Sequence, residues 1–292
     1  MAFSLHHAAA LVLSLGLAAQ AAAGSPEKYT LRYQFHPGET VRWEVEHRSN
    51  VRTTVSKNTQ TAETLSLSVK QWRVTDVKPD GSATFEHGVE SVDMRQKLTG
   101  RSEVRYNSRT DAKVPVGFED VAKSVGLPLL RVTIDAHGKL LHREHLAGKQ
   151  SAKAEGWMTI PLPAEPVAVG HTWSLPQTID IPLESGGVKR VKAIQQFTLE
   201  SVQTGVAVIR VSTDVLTPIN DPAVESQLVQ REAAGLVRFD LDAGRVLSQQ
   251  LDIDKHVVGF RGEASSIHYV NRFCERLLND PIKTAGKDKA RD

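Results

Sequence analysis

The residues of this chain best suited to metal chemistry are His142 and His145, with Glu144 beside them. On a helix the two histidines would share a face and could bind a metal ion. They follow a turn in a strand-like stretch, and in a strand residues three positions apart point to opposite faces. The spacing therefore favours a polar strand end, and we predict no metal site there.

Two pairs of aspartates are the next candidates, because facing carboxylates can bind calcium or act as acid and base. Asp240 and Asp242 alternate along one stretch, and Asp252 and Asp254 alternate along a later one. In the Asp-Ala-Gly turn at 242–244, we expect the Asp242 side chain to cap its own backbone. We therefore predict neither a metal site nor a catalytic site at these pairs.

Cys274 is the only cysteine of the chain, which excludes an intramolecular disulfide. It lies next to Phe273, so we predict a buried small apolar residue, not a nucleophile. The polar stretch from Asn50 to Thr64 could bind sugars, but a long solvated hairpin or an exposed strand edge is the favoured interpretation. The chain lacks Gly-x-Ser-x-Gly, a phosphate-binding glycine loop and His-Glu-x-x-His. The sequence thus predicts no catalytic residues, no metal site and no cofactor.

Composition and the first residues define the class of protein. Lys and Arg total 36 and Asp and Glu total 34, so a net charge of +2 gives nucleic-acid binding little support. Residues 1–23 resemble a signal peptide, because the apolar run from Ala8 to Ala19 is too short to span a bilayer and small residues follow it. A buried helix or a membrane anchor is the alternative, since no Lys or Arg precedes the run. We expect cleavage near Ala23, a periplasmic or secreted bacterial protein, and no transmembrane segment in the mature chain.

The apolar residues of the remaining chain have the spacing of β-strands. Tyr29 to Phe35 alternates with period two, which predicts a half-buried strand. Offsets of 3, 2 and 3 then occur twice, in stretches 69–77 and 194–202, and each three-residue step predicts a β-bulge. The two sets of apolar residues with these offsets are Val69, Trp72, Val74 and Val77, and Ile194, Phe197, Leu199 and Val202.

Three landmarks recur in the same order, which predicts an internal duplication: Gly-x-Thr followed by Trp, the 3-2-3 spacing, and the Asp-Ala-Gly turn before Lys or Arg. The first β-rich repeat is 24–147, a Pro/Ala/Gly-rich connection is 148–165, the second repeat is 166–280, and 281–292 is a disordered charged tail. A short helix is predicted over 118–125, while 223–232 and 265–278 could each be helix or strand. The predicted fold is mainly β, with antiparallel meanders forming a curved sheet or open barrel from two related halves.

Three motifs resemble a family of uncharacterised exported bacterial β-rich proteins, a domain of unknown function with an internal duplication. They are Tyr-x-Leu-x-Tyr-x-Phe-x-Pro-Gly-Glu-Thr at 29–40, Pro-Val-Ala-Val-Gly-His-Thr-Trp at 166–173 and Phe-Asp-Leu-Asp-Ala-Gly-Arg at 239–245. The resemblance implies a β-rich fold and export, and it supplies no activity and no catalytic residues.

We therefore expect an exported, non-enzymatic protein that binds a small apolar ligand or a cell-envelope protein. An enzyme without a recognisable motif and a structural β module that pairs through strand edges are the alternatives. A wide apolar cavity would favour ligand binding. Converging histidines and aspartates would favour an enzyme, and a filled core would favour the structural module.

Overall fold

The computed structural model describes residues 26–147, 159–184 and 186–278. The predicted signal peptide 1–23 and tail 281–292 lie outside the described residues, as does most of the connection 148–165. No helix in the described ranges is long and apolar enough to cross a membrane.

The described chain consists of strands and two short helices. The helices are α1 (Glu119–Ser124) and α2 (Pro222–Leu228). The strands are β1 (Lys28–Tyr29), β2 (Thr40–Val55), β3 (Asn58–Val77), β4 (Ala83–Leu98), β5 (Val104–Asn107), β6 (Pro128–Ile134), β7 (Leu140–His145), β8 (Val167–Ala168), β9 (Thr172–Pro182), β10 (Val188–Gln203), β11 (Val206–Val215), β12 (Ala234–Asp240), β13 (Arg245–Val258) and β14 (Ser265–Leu277).

A 12-stranded antiparallel sheet accounts for nearly all of these strands, which confirms the predicted mainly β fold. Its order is β7-β6-β4-β3-β2-β14-β13-β12-β11-β10-β9, and β5 pairs with β4. Strands β2, β3, β4, β6 and β7 form one meander, and β9 to β13 form another. Strand β14 lies between β2 and β13 and joins the two meanders. The landmarks fall at matching places in the meanders, while the duplication itself stays a prediction.

The sheet is curved, and its inner face holds the main core. Trp72 and Phe85 from the first meander belong to the same buried cluster as Phe197 and Phe239 from the second. Side chains from distant strands can share one core only if the sheet curves round and brings its two ends towards each other. The outer face instead carries cross-strand ion pairs, such as that between Arg276 and Glu44 at 3.0 Å.

The stretch 29–35 is half-buried as predicted, but it is not a strand of the sheet. Leu31 and Tyr33 are buried, yet the chain has no strand pairing from 30 to 39. The Tyr33 amide donates to the Ala136 carbonyl at 2.8 Å, and the Gln34 amide donates to the Gly244 carbonyl at 3.0 Å. The segment therefore lies between two hairpin turns, one from each meander, and these turns replace a neighbouring strand.

The β-bulges expected from the second three-residue step are present in both stretches. The register shifts between Val74 and Asp76 on β3, and between Leu199 and Ser201 on β10. Trp72 and Phe197, the aromatic members, are buried.

The β-bulge predicted at the first three-residue step of each set is wrong for β3 and β10, since neither strand carries an extra residue there, and the first member of each set therefore does not face inward. Gln195 is buried in place of Ile194, and Lys70 faces inward in place of Val69. The reason is uninterrupted alternation before the aromatic residue: residues two positions before Trp72 and Phe197 share their face.

The two undecided segments are now resolved. The first contains most of α2, which begins at Pro222 after Asp221, whose carboxylate accepts from the Ala223 amide at 2.9 Å. The second is β14. The stretch 50–64 is the distal part of the β2–β3 hairpin, as predicted. Most of it is not a sheet edge, because residues 50–55 pair with β14 and residues 62–64 pair with β4.

Candidate functional site

The structure keeps the candidate histidines apart from one another. His142 and His145 lie on the exposed strand β7, and their spacing places them on opposite faces. Glu144 accepts a hydrogen bond from Arg131 at 2.8 Å. Across 26–147, 159–184 and 186–278, no three His, Cys, Asp or Glu side chains lie close enough together to hold a metal ion.

The second aspartate pair belongs to ion pairs on the outer face. Asp252 accepts from Arg272 at 2.6 Å, and Asp254 lies 2.7 Å from Nε2 of His268. The hydrogen bond from Arg272 holds the pKa of the Asp252 carboxyl below its usual range. Asp252 and Asp254 thus pair with Arg272 and His268 of the neighbouring strand β14.

The expected cap of the turn at 242–244 is wrong by two residues. Asp240, not Asp242, accepts from the amides of Asp242 at 3.0 Å and Ala243 at 2.8 Å. The cap is the last residue of β12, because only from there can a short carboxylate reach the next free amides. Asp135 does the same in the other hairpin, where it accepts from His137 at 2.8 Å.

Cys274 is only partly buried, contrary to the prediction. It alternates along β14 with Phe273 and Glu275, which face inward, so the thiol faces outward. Partial burial, and then the nearby Glu46 carboxylate, raise the pKa of the thiol. A higher pKa leaves less thiolate, the form that acts as a nucleophile.

The main feature of the inner face is a partly open apolar cavity of about 310 Å³, lined by residues of β2, of β10 to β14, of the connection between α2 and β12, and of segment 159–161. We call it the apolar cavity. Its apolar lining residues are Ile160, Pro161, Phe197, Val211, Ala233, Val237, Leu251, Ile253 and Phe273, and its polar lining residues are His47, Thr159, Gln195, Gln230, Gln249 and Asn271.

Strand register brings four of the lining side chains together. Phe197, Val211, Gly235, Leu251 and Phe273 form one row across five neighbouring strands. Gly235 is the middle member, and a Cβ atom there would lie 1.9 Å from the Gln250 carbonyl oxygen, so the backbone of β13 approaches too closely for a side chain. Each of the other four members lines the cavity. A single cross-strand row therefore supplies lining residues from four separate strands.

Two walls of the cavity carry amides with unused hydrogen-bonding capacity. Gln195 is 8% exposed and Asn271 is 9% exposed. The Oε1 atom of Gln195 and the Oδ1 atom of Asn271 are buried and have no hydrogen-bond partner among the described residues. A buried polar atom without a partner costs about 1–3 kcal/mol, so these oxygens mark places where a ligand can add a hydrogen bond.

A buried ion pair borders the cavity on one side. The Lys70 ammonium lies 2.7 Å from the Glu275 carboxylate and about 5 Å above the rings of two tryptophans, Trp43 at 4.9 Å and Trp72 at 5.1 Å. Gln249, which lines the cavity, donates to Glu275 at 2.9 Å. Lys70 and Glu275 thus neutralise each other, and neither presents an unpaired charge to the apolar cavity.

The charge of Lys70 also affects the pKa of His87, which lies on the neighbouring strand β4. Burial lowers the pKa of His87 to about 4, and the positive charges of Lys70 and Arg143 add to this effect. His87 is therefore a neutral, buried ring at physiological pH, and its Nδ1 atom has no partner among the described residues.

Sequence reasoning missed Gln195, Asn271 and Gln249, because it followed only apolar positions along each strand. Counting back two residues from Phe197 would have placed Gln195 on the inner face. Asn271 had no such signal, since 265–278 was undecided between helix and strand.

Comparisons with known proteins do not assign this chain to a family. No family model and no curated protein sequence matches it. A lipovitellin chain, from work on lipid–protein interactions in lipovitellin, is similar at a TM-score of 0.47 and 12% identity, covering 84% of this chain and 26% of lipovitellin. DynF from the dynemicin biosynthesis pathway of Micromonospora chersina has a TM-score of 0.23 and 8% identity, covering 89% of this chain and 88% of DynF. Both likenesses are too low to indicate a function.

Proposed function

We propose that this chain is an exported, non-enzymatic protein that binds a small apolar molecule in the apolar cavity. The observation that carries the proposal is the cavity itself, at about 310 Å³ and with mostly apolar walls. Small-molecule sites typically enclose about 300–1,000 Å³, are mainly apolar and contain a few placed polar groups. The apolar cavity has each of these properties.

The walls of the cavity are suited to binding because regular structure holds most of them. Side chains from strands β10 to β14 form one side, and segment 159–161 crosses the other. The segment is held by the Ile160 amide, which donates to the Tyr33 hydroxyl at 3.1 Å, and by the Trp173 indole, which donates to the Pro161 carbonyl at 2.7 Å. A preformed site loses little entropy on binding, so buried apolar area contributes more fully to affinity.

Export is the second part of the proposal, and it rests on the signal-peptide pattern of residues 1–23 and on the family resemblance. The enzyme alternative gains no support from geometry, since the candidate histidines lie on opposite faces of β7, and the candidate aspartates belong to ion pairs on the outer face of β13 or to a turn.

A fluorescence titration with phenylnaphthylamine, a dye that brightens in apolar surroundings, tests the binding site. The wild-type protein should show saturable binding. Ala233→Leu should weaken the binding about tenfold or more, because the longer side chain fills part of the cavity and removes several buried methylene contacts of the dye.

Ala234→Leu is the matched control, because Ala234 is exposed and is not part of the cavity wall. It should bind the dye like the wild type. Equal binding by Ala233→Leu and wild type, or no saturable binding by wild type, would show that the cavity is not a ligand site.

A further inference from the structure

We infer that the ligand of the apolar cavity is an uncharged apolar molecule with a hydroxyl group, and not a carboxylate such as a fatty acid. This inference rests on the proposed function and adds the chemical class of the ligand. It follows from the two unpartnered amides and from the charges around the cavity.

The amides show that the ligand has a polar group. Gln195 and Asn271 are more than nine-tenths buried, line the cavity and keep an oxygen atom without a partner among the described residues. A purely apolar ligand would leave both oxygens unsatisfied. A ligand that donates a hydrogen bond to either of them removes part of the cost of burying the amide.

A hydroxyl fits these amides better than other neutral groups do. An amide can rotate so that its oxygen and its nitrogen exchange places. A hydroxyl both donates and accepts, so it can pair with either orientation. An ester oxygen only accepts, so it can use an amide only after rotation.

The charges around the cavity disfavour a carboxylate. None of the lining residues is a lysine or an arginine. Lys70 is the nearby buried cation, and it is already paired with Glu275 at 2.7 Å. His47 is the one titratable side chain of the lining, so an ionised carboxylate in the cavity would lose its hydration without gaining a lysine or arginine partner, and Glu275, held through Gln249 at the wall, would repel it.

Isothermal titration calorimetry with three ligands of equal chain length tests the inference: decanol, methyl decanoate and decanoate, at about neutral pH. We expect decanol to bind about tenfold more tightly than the ester, which corresponds to one net hydrogen bond. Decanoate should bind more weakly than both.

Two variants locate the hydrogen bond, and a third is the control. Gln195→Met and Asn271→Leu keep the approximate side-chain size and remove the amide. At least one of them should reduce the preference for decanol over the ester to about twofold or less. Gln196→Met should keep the preference, because Gln196 points to the opposite face of β10.

The outcomes separate this inference from the proposed function. Equal affinities of decanol and ester, as expected if water satisfies the amides, would overturn the hydroxyl assignment while leaving the cavity a binding site. Decanoate binding as tight as decanol binding would also overturn the hydroxyl assignment while leaving the cavity a binding site. No binding of any of the three, together with no dye binding, would overturn the proposed function itself. Because the wild-type ranking decides between these outcomes, misfolding of a variant does not prevent the test.

Discussion

Strands β3 and β10 carry the same apolar spacing, and each places one polar side chain on the inner face two residues before its aromatic residue. On β3 this residue is Lys70, which is paired with Glu275 and covered by two indole rings. On β10 it is Gln195, whose amide oxygen has no partner among the described residues. The same local pattern therefore gives a satisfied polar group in one half and an available one in the other.

The surroundings of the two residues explain this difference. Near Lys70 the inner face is filled by aromatic rings, with Trp43 and Trp72 at 4.7 Å and Trp72 and Phe85 at 4.3 Å between ring centroids. Near Gln195 the inner face carries smaller side chains, such as those of Val211 and Ala233, and the apolar cavity remains open. On β3 the charged side chain and its counter-ion belong to a filled core. On β10 the neutral amide lies beside smaller side chains and lines a cavity.

The largest expected effect is on stability after loss of the ion pair. Lys70→Met should destabilise the fold by about 3–5 kcal/mol, because Glu275 would remain buried without its counter-charge. Urea unfolding followed by circular dichroism measures the change. Lys192→Met, at an exposed position on β10, is a suitable control and should change stability little. A loss below about 1 kcal/mol for Lys70→Met would contradict the assigned role of the pair.

The next effect is a dependence of stability on pH that comes from His87. Its pKa is about 4 in the folded protein, below the ordinary value of about 6.5. The stabilisation is fully present above about pH 6.5 and is lost as pH falls towards about 4, because the unfolded chain takes up the proton first. The loss should reach about 3 kcal/mol, and His87→Gln should lack it. An unchanged pH profile for His87→Gln, in urea unfolding at several pH values, would contradict the burial of a neutral ring.

A smaller effect is expected at the turns that hold segment 30–36. Gly244 has a φ of 59°, and a Cβ atom there would lie 2.6 Å from the Gln34 amide nitrogen. Gly244→Ala should cost about 2 kcal/mol in unfolding free energy, from backbone strain and from displacement of the segment. Gly170→Ala, at a φ of 89° with no atom within 4 Å, measures the strain alone. Equal losses in the two variants would mean that the turn does not position the segment.

The smallest expected effect is on the stability of a Gln195→Met variant, which is compared with that of Lys70→Met. Gln195→Met should change stability by less than about 1 kcal/mol, and towards greater stability, since it removes a buried oxygen without a partner. Thermal unfolding in the absence of ligand measures this. A loss comparable to that of Lys70→Met would show that Gln195 is a structural residue like its counterpart.

The sequence allowed the strands, the hairpin turns and the mainly β fold to be predicted, because these depend on local alternation and turn chemistry. Asp135 and Gly138 in one turn, for example, are visible in the sequence. The site could not be predicted in this way. The apolar cavity depends on which residues of five strands share a row, and that depends on the register of every hairpin from β10 to β14 together, which spacing within one strand does not give.

Segment 30–36, which overlaps the stretch 29–35 described above, shows the same limit of prediction from local sequence. Its period of two correctly predicted which side chains are buried, but its hydrogen bonds go to turns that are about a hundred and two hundred residues away in the chain. The spacing of residues within the segment does not identify such distant hydrogen-bond partners.

Native mass spectrometry of the protein, purified gently from an exporting bacterial host, tests the central claim most directly. We predict a chain that begins near Gly24 and carries an excess mass that disappears on organic extraction and is reduced in Ala233→Leu. A bare chain at its calculated mass, from wild type and variant alike, would contradict a tightly bound apolar ligand.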